Sequence, residues 1–88
     1  MDEKRQRDRL LDHLAYYERV LPIRDAAYNQ LKRTIIIPRI HIALKKIEVG
    51  SYRLCDDCAE YIPDARLELI PGALRCITCQ TISEVKRR

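Results

Sequence analysis

From Asp2 to Leu21 the apolar positions Leu10, Leu11, Leu14, Tyr17, Val20 and Leu21 recur at steps of three and four, with polar residues between them. That spacing predicts an amphipathic helix. Pro22 ends it, because proline lacks an amide hydrogen and disfavours helical dihedrals at Leu21, so a turn is expected at about 21–25. A second apolar series runs Ala27, Tyr28, Leu31, Ile35, Ile40, Ala43, Leu44 and Ile47 as far as Val49 and Gly50. Asp25 suits its N-cap, and Gly50 suits the left-handed position past its end. The β-branched run Ile35–Ile37 before Pro38 is compatible with a strand, a break or a kink; the expectation is one helix kinked near Pro38. Two amphipathic helices joined by a short turn fold back on each other to cover their apolar faces, giving an antiparallel hairpin roughly 30 Å long.

After Leu54 the periodicity stops, and four cysteines appear as two Cys-x-x-Cys pairs, Cys55/Cys58 and Cys76/Cys79, separated by 17 residues that include Pro63 and Pro71. Asp64–Leu69 has room for one or two helical turns, and Thr78–Arg88 reads as a short C-terminal helix. The fold expected is therefore mainly α: a helical hairpin over 1–50 with its tip near 21–27, then a small four-cysteine zinc-finger module with a C-terminal helix over 51–88. Each Cys-x-x-Cys turn places two sulfurs on one side, and two such knuckles complete a tetrahedron, so Cys55, Cys58, Cys76 and Cys79 are the candidate ligands of one zinc ion. A closed four-sulfur shell leaves no position for water or substrate, which makes the metal structural and argues against an enzyme. Rubredoxin-type iron uses the same ligands, but its knuckles usually carry glycine after each second cysteine, where this chain has Ala59 and Gln80. A redox dithiol of the thioredoxin type wants one pair in a strand-helix context, which is missing here.

A chain of 88 residues holds one core, and one this small often needs a staple beyond apolar burial. Metal is favoured over disulfides because no secretory segment is evident, and the default address is cytoplasmic. No run of about 18 apolar residues exists, so no membrane span is expected. The formal charge is +4, and four thiolates around one zinc lower it by two. The charge is also unevenly placed: residues 1–53 carry 12 Lys and Arg against 7 Asp and Glu, and residues 54–85 carry 2 against 6. An acidic zinc module is poorly suited to gripping phosphates, which leaves the N-terminal helices as the basic surface.

The run Gly50-Ser51-Tyr52-Arg53-Leu54-Cys55-Asp56-Asp57-Cys58 after two helices resembles the DksA/TraR family of bacterial transcription regulators. Ile62-Pro63, Ala65-Arg66-Leu67-Glu68 and Ile70-Pro71 match the family's recurring segment between the knuckles. Cys76-Ile77-Thr78-Cys79-Gln80 closes the motif, and Ala43-Leu44-Lys45-Lys46-Ile47-Glu48 resembles the end of its second coiled-coil helix. The resemblance implies a protein that binds RNA polymerase directly, without sequence-specific DNA recognition, its hairpin entering the secondary channel and its zinc module serving as a rigid base. It carries the family's tip, an Asp and an Ala two residues apart, onto Asp25 and Ala27. The chain departs from the family in a shorter hairpin and in Pro22, which stands where a second acidic residue often lies. Members that respond to guanosine tetraphosphate have basic residues where this chain has Ile70 and Gln80, although Lys32 and Arg39 lie near the family's basic positions on the second helix; a weak response is implied.

Each of these residues also has an ordinary role open to it. Asp25 has the role of a helix N-cap open to it beside that of a contact tip, and the two are compatible. His13 and His41 are isolated from the cysteines and are assigned no metal. Tyr16, Tyr17 and Tyr28 fit packing between the arms better than base stacking. Ile35–Ile37 read as core or a dimer contact, and Lys4, Arg5, Arg7 and Arg9 as a solvated face that an acidic partner would attract. The alternative function is a zinc-ribbon module that binds nucleic acid or acts as an adaptor.

Overall fold

In the computed structural model, which describes residues 2–86, the hydrophobic periodicity resolves into helix α1 (Glu3–Val20), a turn, and a second arm built from α2 (Ala26–Leu31), a π-helical turn (Lys32–Ile36) and α3 (Ile37–Val49). Two short helices follow, α4 (Asp64–Leu69) and α5 (Ile77–Lys86). The last two residues of the expected C-terminal helix lie outside the described residues. The ends of the arms are set by side chains. Asp2 Oδ1 accepts from the amides of Lys4 at 3.0 Å and Arg5 at 3.4 Å, and Asp25 Oδ1 accepts from Tyr28 N at 3.0 Å. Gly50 adopts φ +83° and closes α3 with two backbone bonds, Gly50 N to Ile47 O at 3.3 Å and Ser51 N to Lys46 O at 2.8 Å. This is the left-handed cap that glycine favours.

The second arm departs from regular α geometry one turn earlier than Pro38 itself. In an α-helix the amide of residue 38 would bond the Thr34 carbonyl, and the proline ring would collide with that oxygen. Widening the turn at Lys32–Ile36 into π geometry relieves the collision without ending the helix, and Pro38 then sits in the first turn of α3.

The apolar core lies at the base of the hairpin. Leu10 from α1 and Ile40 and Ala43 from α3 are buried in one cluster with Tyr52, Cys55, Ile62, Leu67, Ala73 and Leu74. Toward the tip the arms share half-buried contacts such as Leu14, Tyr17 and Ile36. Of the three tyrosines expected between the arms, Tyr17 and Tyr28 flank the Lys32 ammonium at 5.3 and 5.1 Å, a cation–π arrangement that ties α1 to the second arm. Tyr16 meets Tyr17 edge-on at 5.5 Å and is otherwise half exposed.

Two polar side chains penetrate this base. Gln6 is fully buried and donates through Nε2 to the Leu67 carbonyl at 2.7 Å, while its Oε1 accepts from Arg9 at 2.9 Å. Lys46 is 7 % exposed and donates to Leu54 O at 2.6 Å and to Asp56 Oδ1 at 2.7 Å. Each fastens one hairpin arm to the module below it.

Candidate metal centre and hairpin tip

The module that carries the cysteines is organised by backbone bonds around residues 53–62. Leu54 and Tyr61 form an isolated antiparallel bridge, Cys55 N donates to Glu60 O at 2.8 Å and Ile62 N to Arg53 O at 2.7 Å. The chain reverses through Cys55–Ala59, where Ala59 takes φ +60°, the left-handed conformation that a glycine would adopt without strain. The second knuckle leads into α5, with Gln80 N bonded to Cys76 O at 2.9 Å. Asp56 N donates to Leu74 O at 2.9 Å, and Arg75 Nε pairs with Asp57 at 2.8 Å, so each knuckle is held against the other by one backbone and one charged contact.

This brings the sulfurs of Cys55, Cys58, Cys76 and Cys79 within 4.8 Å of one another, and those of Cys58 and Cys76 to 3.9 Å. A zinc–sulfur bond of about 2.3 Å implies a tetrahedral edge of about 3.8 Å, so the four donors fit that ion. The thiols also act on one another. Burial opposes ionisation of Cys55, yet the amides of Cys58, Cys76 and Asp57 aimed at its sulfur outweigh burial and lower the thiol to about 6. Cys79 is driven strongly upward by the sulfurs of Cys76 and Cys58. Four thiolates this close repel one another unless a cation sits among them. His13 and His41 are exposed and contribute to no such cluster among the described residues.

At the other end of the hairpin, Asp25 and Ala27 are both exposed. Asp25 caps α2, so the ordinary role open to it is filled. The loop that carries it is clipped by a residue that pattern reading passes over: Asn29 Oδ1 accepts from Ile23 N at 2.9 Å and Asn29 Nδ2 donates to Ile23 O at 2.8 Å. Its only sequence signal is an asparagine four residues after a capping aspartate.

A groove of about 470 Å³ runs between the hairpin base, the segment after α4, and α5; Arg39, Ile70 and Gln80 are among its lining residues. Arg39 lies along this groove, whereas Lys32 is engaged between two tyrosine rings. Among the described residues no helix is long and apolar enough to cross a membrane.

A two-armed helical prong on a closed four-cysteine site defines a C4 zinc-finger protein, and comparison with known proteins agrees. Residues 50–85 match the family model of the prokaryotic dksA/traR C4-type zinc finger. A chain described as the RNA polymerase binding protein and transcriptional regulator Dks of Chlamydia trachomatis L2 is 33% identical, superposes with a TM-score of 0.79, and is covered over 93% of its length by 98% of this one. This chain belongs to the DksA/TraR family. Among curated relatives, the RNA polymerase-binding transcription factor DksA of Haemophilus influenzae is 33% identical over 60 residues, 68% of this chain and 41% of that protein. Its counterpart from Buchnera aphidicola is 38% identical over 60 residues, 68% of this chain and 40% of that protein. The chain therefore spans about two fifths of the length of the curated relatives it matches.

Proposed function

We propose that this protein is a cytoplasmic, non-enzymatic transcription regulator that binds RNA polymerase directly, with Cys55, Cys58, Cys76 and Cys79 holding one structural zinc ion and the hairpin directed into the secondary channel. The observation that carries this reading is the likeness, over nearly the whole of both chains, to a protein described as an RNA polymerase binding transcriptional regulator. The metal supplies no reaction in a closed sulfur shell; it fixes the base on which both helical arms stand. Asp25 and Ala27 then form the contact tip. One Asp25 oxygen is used in capping, and the exposed carboxylate still presents negative charge toward a partner's cationic or metal-bearing centre.

The acidic balance of residues 54–85 supports recognition of protein rather than DNA sequence. Uncharged Ile70 and Gln80 in the groove wall support a weak response to guanosine tetraphosphate. The test is binding of the purified protein to core RNA polymerase without DNA, in competition with a known secondary-channel factor. Mutual exclusion is expected. Binding that ignores the competitor would relocate the site, and steeply salt-dependent binding to free DNA or RNA with none to polymerase would instead favour the nucleic-acid module.

A further inference from the structure

The turn between the arms, residues 21–25, has no regular secondary structure and is largely exposed. An exposed five-residue turn of this kind samples many conformations unless something outside it holds it. Leu21 N is tied to Tyr17 O at 3.0 Å, and beyond Pro22 the turn is met by the side chain of Asn29. The Asn29 carboxamide meets the backbone of Ile23 with both of its polar atoms, accepting at 2.9 Å and donating at 2.8 Å, while Asn29 N bonds Asp25 O at 3.1 Å. Asn29 lies in α2, half-buried, so the clamp refers the loop to a helix rather than to another mobile segment. The geometry suits only a planar group with an adjacent acceptor and donor at that reach, which among side chains means an amide. Aspartate keeps the acceptor and loses the donor; alanine loses both.

We propose that Asn29 is the positioning residue of the hairpin tip: by clamping Ile23 it fixes the direction in which Arg24 and Asp25 are presented. This deepens the proposed function and rests on its reading of the tip. The cap bond of Asp25 to Tyr28 N orders the first turn of α2 and does not reach Ile23 or Arg24. With the clamp, the loop on both sides of Arg24 is tied to the same helix. A tip presented in one orientation engages a partner without first losing its own conformational freedom.

The experiment compares wild type, Asn29→Ala, Asn29→Asp and Asp25→Asn as full chains with zinc bound. The first readout needs no partner: amide hydrogen exchange at Ile23 is expected to accelerate roughly tenfold or more in Asn29→Ala, as befits the loss of its acceptor. Unchanged helix content and zinc stoichiometry would show that the fold is intact. The second is in vitro transcription with polymerase, where Asn29→Ala is expected to lose about as much effect as Asp25→Asn, with polymerase affinity falling as the loop's ordering cost is restored. The double variant is expected to lose little more than either single one, since both act through one tip. Asn29→Asp is expected to fall between wild type and alanine. Unchanged exchange at Ile23 in Asn29→Ala overturns the clamp, whatever the partner. Accelerated exchange with full transcriptional effect overturns its positioning role. Failure of wild type to bind polymerase sinks the proposed function instead, and the exchange measurement still decides whether the clamp exists.

Discussion

Tyr52 shows how a single side chain records the packing of the base. Its ring is almost fully buried and its hydroxyl donates to Pro71 O at 2.7 Å. Burial disfavours the phenolate and pushes the hydroxyl from 10.0 up to about 12. A folded-state value above the unfolded one means that this stabilisation is complete below pH 10 and is lost as pH rises through about 12. Ultraviolet titration of the five tyrosines should therefore contain one step near pH 12 that disappears in Tyr52→Phe. Its persistence in that variant would assign the late step elsewhere. Lys46 is the second informative residue. It is bonded to the Leu54 carbonyl and the Asp56 carboxylate, the residues on either side of Cys55, and so holds the first knuckle in place with a cation whose charge opposes that of a zinc-thiolate shell. Lys46→Met keeps the stem and removes the cation. Zinc affinity measured by chelator competition should drop, by up to about tenfold, since Lys46 supports the knuckle through the neighbours of Cys55 and not through a ligand itself. An unchanged affinity would leave Lys46 a purely mechanical link.

At the scale of elements, what can be read from the chain is the chemistry that acts locally. Helix ends are readable where caps are short-range, as Asp25 and Gly50 show; Asp2 caps α1 in the same way but carries no signal that sets it apart among the charged residues at the start of the chain. The cysteine site is readable because ligand spacing within a knuckle is also local. The π turn is not, since Pro38 announces a conflict without saying where the helix will absorb it. Gln6 and Lys46 are hidden for another reason. They sit four residues before Leu10 and three after Ala43, on the apolar stripes, but polar side chains at such positions are ordinarily read as solvated, and their partners lie in the distant module. Ala59 marks another case, a local strain that its φ of +60° shows and that the sequence, where this position weighs only against rubredoxin-type iron, does not reveal. The position where a knuckle glycine is common is filled by a residue with a Cβ in the left-handed region. Ala59→Gly should raise stability by about 0.5–1 kcal/mol, because relief of that strain outweighs the added freedom of the unfolded chain. For a domain of this size the melting temperature should rise by about 3–6 °C, read by calorimetry of the zinc form. A decrease would mean that the knuckle tolerates alanine at no cost.

At the scale of the whole molecule, the decisive feature is that hairpin and zinc module share one core. Leu10, Ile40 and Ala43 are buried against Tyr52, Ile62, Leu67 and Leu74, and Gln6 bonds directly to the Leu67 carbonyl. Neither arm therefore has a complete interior of its own. Structural zinc in small Cys-rich modules contributes on the order of 10–16 kcal/mol of apparent binding energy at neutral pH. That matches or exceeds the about 5–15 kcal/mol by which an ordinary domain is stable. Removing the metal should consequently unfold more than the knuckles. Chelation, or Cys76→Ser, is expected to abolish hydrogen-exchange protection at Leu10 and Ala43 together with that at Tyr52, in a single transition by circular dichroism. The tip clamp at Asn29, remote from that core, would then stand on a hairpin with no fixed base. If the amides of Leu10 and Ala43 stayed protected while those of the module exchanged freely, the arms would be an autonomous unit, and the metal would orient the prong without holding it together.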